Sequence, residues 1–206
     1  MIGVYGGTFD PIHFGHLRTA LEVKEIFALD EIRLIPCFIP PHRGHPSVSA
    51  AMRVAMLELA LAGKVGMTVD TREIERGGPS YMVDTLHSLR AEIGDRPLLL
   101  FVGADAFVGL KTWYQWRRLF DYAHLVVMTR PGYEASSLDP FLLSRLTEAQ
   151  QSLRCEAAGR LLFQSVTRLE ISATAIRQIV ADGRDPGFLL PEPVIQYIRQ
   201  HHLYLR

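Results

Sequence analysis

The fold is decided by residues 2–16, Ile2-Gly3-Val4-Tyr5-Gly6-Gly7-Thr8-Phe9-Asp10-Pro11-Ile12-His13-Phe14-Gly15-His16. Ile2 to Tyr5 reads as a buried strand. Beyond His16, the residues Leu17, Ala20, Leu21, Val23, Ile26 and Phe27 give the next segment a broad apolar helical face. Two glycines between strand and helix let the backbone turn tightly and come close to a ligand. The helix start offers free N–H groups to an anion. His13 and His16, three residues apart near that start, can aim two imidazoles at one phosphate. The pattern is neither G-x-x-x-x-G-K-[ST] nor G-x-G-x-x-G. Two other readings stand beside phosphate binding. One is a glycine turn with incidental histidines. The other is a zinc site, which needs a third ligand that no Cys/His cluster supplies.

Outward from this stretch the alternation continues. Strands are predicted at Glu31 to Pro36, Met67 to Asp70, Leu98 to Val102 and Leu125 to Met128. Helices are predicted at Ala50 to Ala62, Val83 to Ile93, Leu138 to Leu153, Ala173 to Ala181 and Pro193 to Gln200. Strands spaced by helices argue for βαβ units and a parallel sheet covered on both faces. The 206 residues, 48% of them apolar, suffice for one substantial core, so one domain over 1–206 is expected. The motifs fall after Tyr5, Pro36, Asp70 and Val102, at the strand ends where open α/β sheets hold ligands. The loop from Cys37 to Ser49 is long for a βα connection, hence functional or mobile.

Lys plus Arg and Asp plus Glu are each 22. With no basic surplus, neither a nucleic-acid nor a membrane partner is expected. Cys37 and Cys155 form no C-x-x-C, and a reducing compartment fits. The opening MIGVYGGTFDP lacks the pattern of a signal peptide, and no apolar run approaches the ~18 residues of a membrane span. A cytoplasmic location is expected. Nothing here sets an oligomeric state.

A second motif is Ile171-Ser172-Ala173-Thr174-Ala175-Ile176-Arg177. Ser172 suits an N-cap, with Ile176, Ile179 and Val180 on the buried face. Arg177 then lies early in a helix, where a cation opposes the macrodipole unless an anionic ligand reverses that penalty. A surface ion pair of Arg177 with Asp182 or Glu170 is the equal alternative. In the middle of the chain, Trp113 and Trp116 sit among Leu110 and Leu119 as core aromatics would. Asp105 suits an N-cap after Gly103, Ser80 a cap for a helix near Tyr81, and His42 and Arg43 a solvated loop.

The two end motifs, G-G-T-F-D-P-x-H-x-G-H and I-S-x-T-x-I-R, resemble the nucleotidyltransferase superfamily with a Rossmann-like fold. Pro40-Pro41-His42-Arg43, Ser80-Tyr81-Met82-Val83-Asp84-Thr85-Leu86, Gly103-Ala104-Asp105 with Leu110 and Trp113, and Arg130-Pro131-Gly132 are similar to bacterial nicotinate-nucleotide adenylyltransferases, in the family's order and over nearly the whole chain. Three positions depart: Ala173 stands where Ser is usual, Met82 where Thr is usual, and Arg43 where Lys is commoner. Phosphopantetheine adenylyltransferases share the end motifs but lack the middle blocks. A non-catalytic nucleotide sensor on this fold would show a lost His16 or an added DNA-binding domain.

The resemblance implies an α/β chain, Rossmann-like: a three-layer, doubly wound parallel sheet with C-terminal helices. It implies transfer of the adenylyl group of ATP to nicotinate mononucleotide, giving deamido-NAD and pyrophosphate. His13, His16 and Arg177 would be catalytic. Gly7, Thr8, Phe9, Gly103, Asp105, Ser172 and Thr174 would join them in binding ATP. His42, Arg43 and Arg130 would contact the mononucleotide phosphate. Thr85, Trp113 and Tyr114 would frame the pyridine ring, with backbone N–H groups near Thr85 meeting its carboxylate. One Mg²⁺ would accompany the triphosphate, held mainly by phosphate oxygens and water, with no protein metal site. Asp10 would be structural, bonding N–H groups of its own turn.

Overall fold

The computed structural model describes residues 1–41, 44–130, 132, 138–167 and 169–205. In chain order the elements are β1 (Ile2–Gly7), α1 (Phe14–Ile26), β2 (Glu31–Pro36), α2 (Ala50–Leu61), β3 (Met67–Val69), α3 (Arg72–Arg76), α4 (Met82–Ile93), β4 (Leu98–Gly103) and α5 (Ala104–Val108). Two 3-10 turns, Leu110–Thr112 and Trp116–Arg118, lead into α6 (Leu119–Tyr122), β5 (His124–Thr129), α7 (Pro140–Leu143), α8 (Ser152–Cys155), β6 (Leu161–Ser165), α9 (Ala173–Ala181) and α10 (Glu192–Gln200).

The six strands form one sheet in the order β3-β2-β1-β4-β5-β6, every pair parallel. The order reverses direction between β1 and β4. At such a switch point the connections leave toward opposite faces and open a crevice beyond the carboxyl ends of the two strands. Gly7 ends β1 and Gly103 ends β4, so the sequence puts a glycine on each lip.

Strand periodicity sorts the apolar side chains between two faces. On β4, Leu99 and Phe101 face one layer while Leu98, Leu100 and Val102 face the other. On β5, Val126 and Met128 part in the same way from Leu125 and Val127. The first layer is built from α1, α2 and the C-terminal helices, through Ala20, Val23, Met56, Ile176, Val194 and Ile198. The second comes from α4 and the β4–β5 connection, through Val83, Leu86, Phe107 and Phe120. The expected three-layer fold is therefore present. No helix among the described residues is long and apolar enough to cross a membrane.

Two local expectations are corrected. The segment from Leu138 to Leu153 is not one helix: α7 and α8 are single turns at its ends. Between them Ser144 Oγ bonds back to the Phe141 carbonyl at 2.8 Å and Thr147 Oγ1 accepts from Ala149 N at 3.2 Å. Such hydroxyls compete with the helical ladder. The freed backbone docks on the sheet edge, with Leu161 N donating to Arg145 O at 2.8 Å and Thr147 N to Leu161 O at 2.9 Å. The second correction is β6 itself, which the sequence reading did not place.

Candidate active site

Beyond β1 the chain makes a turn in which Phe9 takes a positive φ of 50°. That conformation is costly for an aromatic residue and tends to persist where a ligand site needs it. The Phe9 ring folds back over Gly7, where an added Cβ would stand 2.9 Å from it. A side chain at Gly7 would push the turn apart. His13 is the N-cap of α1 in extended conformation, with no side-chain cap bond. His16, one turn on, stacks on it with ring centroids 3.7 Å apart and planes 26° apart.

Both imidazoles are held neutral. Burial lowers His13 to about 4. Burial, and then the adjacent His13, lower His16 to about 3. Both Nδ1 atoms are buried and find no hydrogen-bond partner among the described residues, a state that costs free energy unless a ligand satisfies it.

Across the crevice, Ser172 caps α9, its hydroxyl accepting from Ala175 N at 3.5 Å. Arg177 does not pair with Asp182 or Glu170 in any hydrogen bond or ion pair described. Its Nη1 donates to the Asp10 carbonyl at 2.7 Å and its Nη2 to Thr174 Oγ1 at 3.3 Å. Glu170 is paired instead with Arg130 at 2.9 Å. The guanidinium is thus aimed at the β1–α1 turn by neutral acceptors, and no carboxylate among the described residues forms an ion pair with it.

These elements enclose a cavity of about 670 Å³. Gly7, Thr8, Phe9, His13, His16, Gly103, Asp105, Ser172, Thr174 and Arg177 all line it. Every residue expected to hold ATP therefore faces one space. A second cavity, about 370 Å³, shares Gly6, Gly7, Thr8, Gly103 and Asp105 with the first. The two form one bent cleft with the strand ends β1 and β4 as its floor.

The second lobe corrects several assignments. Trp113 and Tyr114 line it, and Tyr114 packs on Tyr81 with centroids 4.6 Å apart. Trp116 instead packs edge-on to Phe141. Thr85 does not reach the cleft surface: it is fully buried, its hydroxyl donates to Glu73 Oε1 at 2.6 Å and its N–H donates to Tyr81 O at 3.3 Å. Arg130 is exposed, held by Glu170, and lines neither lobe. His42 and Arg43 lie outside the described residues. Ser80 does not cap α4, whose N-cap is Tyr81; Ser80 Oγ accepts from Phe38 N at 2.8 Å. Asp105 lies inside α5, and Gly103 is the cap.

One residue of the cleft, Glu73, and two residues that brace it, Arg53 and Tyr204, escape sequence reasoning. Glu73, buried on α3, lines the second lobe, and burial raises its carboxyl above the usual range. Arg53 of α2, 1% exposed, donates to Thr8 O at 2.9 Å and Phe38 O at 3.4 Å. Tyr204 donates to Asp10 Oδ1 at 2.8 Å. The Asp10 carboxylate does not bond its own turn, as the sequence suggests it should, but serves Ser47 N at 2.6 Å and Tyr204.

Fold and cleft define a nucleotidyltransferase-type α/β domain, and residues 4–179 match the family model described as cytidylyltransferase-like. A protein of Methylococcus capsulatus named "Probable nicotinate-nucleotide adenylyltransferase" is 49% identical over 100% of both chains. One of the same name from Pseudomonas aeruginosa is 48% identical over 98% of this chain and 96% of that one. The chain belongs to the nicotinate-nucleotide adenylyltransferase family. Among solved structures, Plasmodium falciparum nicotinic acid mononucleotide adenylyltransferase complexed with NaAD shares the fold, with a TM-score of 0.72 over 98% of this chain and 96% of that chain at 16% identity.

Proposed function

We propose that this chain transfers the adenylyl group of ATP to nicotinate mononucleotide, with ATP in the larger lobe and the mononucleotide in the smaller. The observation that carries this reading is the pair of lobes meeting over Gly7 and Gly103. Two substrates laid end to end there would bring an acceptor phosphate up to the α-phosphate of ATP.

A 5′-phosphate oxygen of the mononucleotide attacks the α-phosphorus. A new P–O bond forms, the bond to the β-phosphoryl oxygen breaks, and pyrophosphate leaves with the electron pair. The nucleophile is already an anion, so no general base is needed. Catalysis rests on positioning and on offsetting charge as it moves to pyrophosphate. His13 and His16, with unsatisfied nitrogens, and Arg177, which pairs with no carboxylate among the described residues, are the donors for that charge. The first turn of α9 adds the backbone N–H groups of Ala173 and Thr174, whereas Phe14 N and His16 N of α1 are already given to Leu189 O and His13 O at 3.0 Å each.

Among the described residues no group of three or more His, Cys, Asp or Glu could hold a metal ion, and the Asp10 carboxylate is spent on Ser47 and Tyr204. Mg²⁺ would enter with the triphosphate substrate, held mainly by phosphate oxygens and water.

For the acceptor, Trp113 supplies a stacking face. The start of α4, at Tyr81 and Met82, borders the smaller lobe and carries no side-chain cap. Tyr81 N is already given to Pro79 O at 3.1 Å, so the N–H groups of Met82 and Val83 are the ones that would favour a carboxylate over an amide. These are N–H groups near Thr85, as the resemblance implies. A cytoplasmic location fits ATP as substrate and two free cysteines, Cys37 and Cys155.

The test is pyrophosphate release from ATP with nicotinate or nicotinamide mononucleotide. Release with the acid, and a higher kcat/KM for it than for the amide, is expected. ATP binding with no release in the presence of either acceptor would overturn the reading. His16→Ala should lower kcat by about two orders of magnitude or more, the scale for losing a preorganised donor.

A further inference from the structure

Asp10 is a junction of three distant segments. Its Oδ2 accepts from Ser47 N at 2.6 Å, its Oδ1 from Tyr204 Oη at 2.8 Å, and its carbonyl oxygen from Arg177 Nη1 at 2.7 Å. Asp10 itself is 5% exposed, so a bond that it loses is only poorly replaced by solvent. Ser47 and Arg177 both line the larger lobe. Tyr204 does not line either lobe; it reaches the junction from behind, 194 residues along the chain.

Tyr204 is firmly delivered there. It follows Leu203, which is buried in the first core layer and whose N–H closes on the Ile198 carbonyl at 3.0 Å. His202 and Tyr204 take positive φ values of 51° and 63°, conformations that persist only when surrounding contacts impose them. Burial and the neighbouring Asp10 carboxylate push the phenol far above its usual range, so it remains a proton donor to that carboxylate.

We propose that Tyr204 is a positioning residue for adenylyl transfer: it satisfies the Asp10 carboxylate and so leaves the Arg177 guanidinium to the triphosphate. The guanidinium already rests on the backbone of Asp10. A buried carboxylate deprived of the phenol would draw a neighbouring cation, and Arg177, already bonded to the Asp10 carbonyl, would leave its aim on the cleft. This inference rests on the larger lobe being the ATP site.

The experiment compares Tyr204→Phe, Asp10→Asn and the double variant, with each substrate varied against saturating amounts of the other and thermal midpoints measured alongside. Tyr204→Phe is expected to lower kcat/KM for ATP by about tenfold or more, the scale of a bond to a charged acceptor, while KM for the mononucleotide stays within about twofold. Adding Asp10→Asn to Tyr204→Phe should recover part of the loss, because a neutral amide no longer competes for Arg177. An unchanged kcat/KM for ATP, equal losses on both substrates, or no recovery in the double variant would each overturn the proposal.

A second measurement needs no variant. If Tyr204 helps order the ATP site, ATP must reciprocally order the C-terminal turn. Amide exchange at Leu203 in the wild-type chain is expected to slow when a non-hydrolysable ATP analogue binds. Binding without that protection overturns the role of Tyr204 alone. Failure of the wild-type chain to bind the analogue would overturn the ATP reading instead.

Discussion

Arg53 Nη1 donates to the Thr8 carbonyl at 2.9 Å across 45 residues, and the same guanidinium reaches Phe38 O at 3.4 Å. One buried side chain thereby ties the turn after β1 to the loop after β2, the two segments that carry the nucleotide and acceptor sides of the cleft. Arg53→Met would leave both carbonyls short of a donor. The expected cost is about 2–4 kcal/mol of stability, read by urea unfolding, with kcat/KM reduced for both substrates. Arg53→Lys keeps the charge but not the fork, so it should recover only part of the stability. A methionine variant as stable as the wild type would show that the two loops hold themselves.

His13 and His16 predict a proton linkage. In the protein alone both are neutral at physiological pH, lowered by burial to about 4 and about 3. A triphosphate placed against the stacked rings opposes the desolvation that lowered them, so the bound-state values must rise. Binding therefore takes up protons, and ATP affinity should increase as pH falls from 8 toward 6. Calorimetry in buffers of different ionisation enthalpy measures the uptake directly. Zero uptake across this range would mean that the imidazoles bind phosphate only as neutral donors.

The sequence made the nucleotide lobe legible and the acceptor lobe only partly so, for a physical reason. His13, His16, Gly7, Ser172 and Arg177 act through residue type and local spacing, both visible in one dimension. Arg53 and Tyr204 act through a backbone carbonyl and a carboxylate 45 and 194 residues away, and no local pattern marks such pairs. Thr85 was misplaced because only α3, a five-residue helix the reading did not find, brings Glu73 and Arg76 onto its hydroxyl. Arg130 was misplaced because its partner Glu170 comes from the far side of β6. The sheet itself was foreseen at five of six strands, since buried parallel strands read as apolar runs. β6 was lost because only Leu161 and Leu162 are buried within it.

Trp113 carries the acceptor prediction. It caps the 3-10 turn of Leu110–Thr112 and faces the smaller lobe. Stacking a base on an aromatic ring contributes about 1–3 kcal/mol, so Trp113→Ala should raise KM for the mononucleotide by roughly tenfold to a hundredfold while KM for ATP changes little. Tyr114, half-exposed and leaning on Tyr81, provides the comparison, and Tyr114→Phe should have a smaller effect. Equal rises in both KM values for Trp113→Ala would place the ring in the core rather than against a substrate.

His124 makes stability itself pH-dependent, far from the cleft. It sits fully buried at the start of β5, where Nδ1 accepts from Arg160 N at 3.1 Å. The proton must then be on Nε2, which donates to the Glu156 carbonyl at 2.8 Å. Protonating Nδ1 would set two donors against each other, and burial lowers the group below its ordinary value. With the folded value below the unfolded one, the unfolded chain binds the proton more readily. Stability is then complete above about pH 6.5 and falls as pH drops toward the folded value, at about 1.4 kcal/mol per pH unit for one such histidine. His13 and His16 add slopes of the same sign. His124→Gln should cost stability at pH 7.5 yet flatten the decline between pH 6.5 and 5.5, measured by urea midpoints at each pH. If the variant and the wild type decline in parallel, His124 accepts its second proton without breaking the bond from Arg160, and the acid sensitivity belongs to the cleft histidines alone.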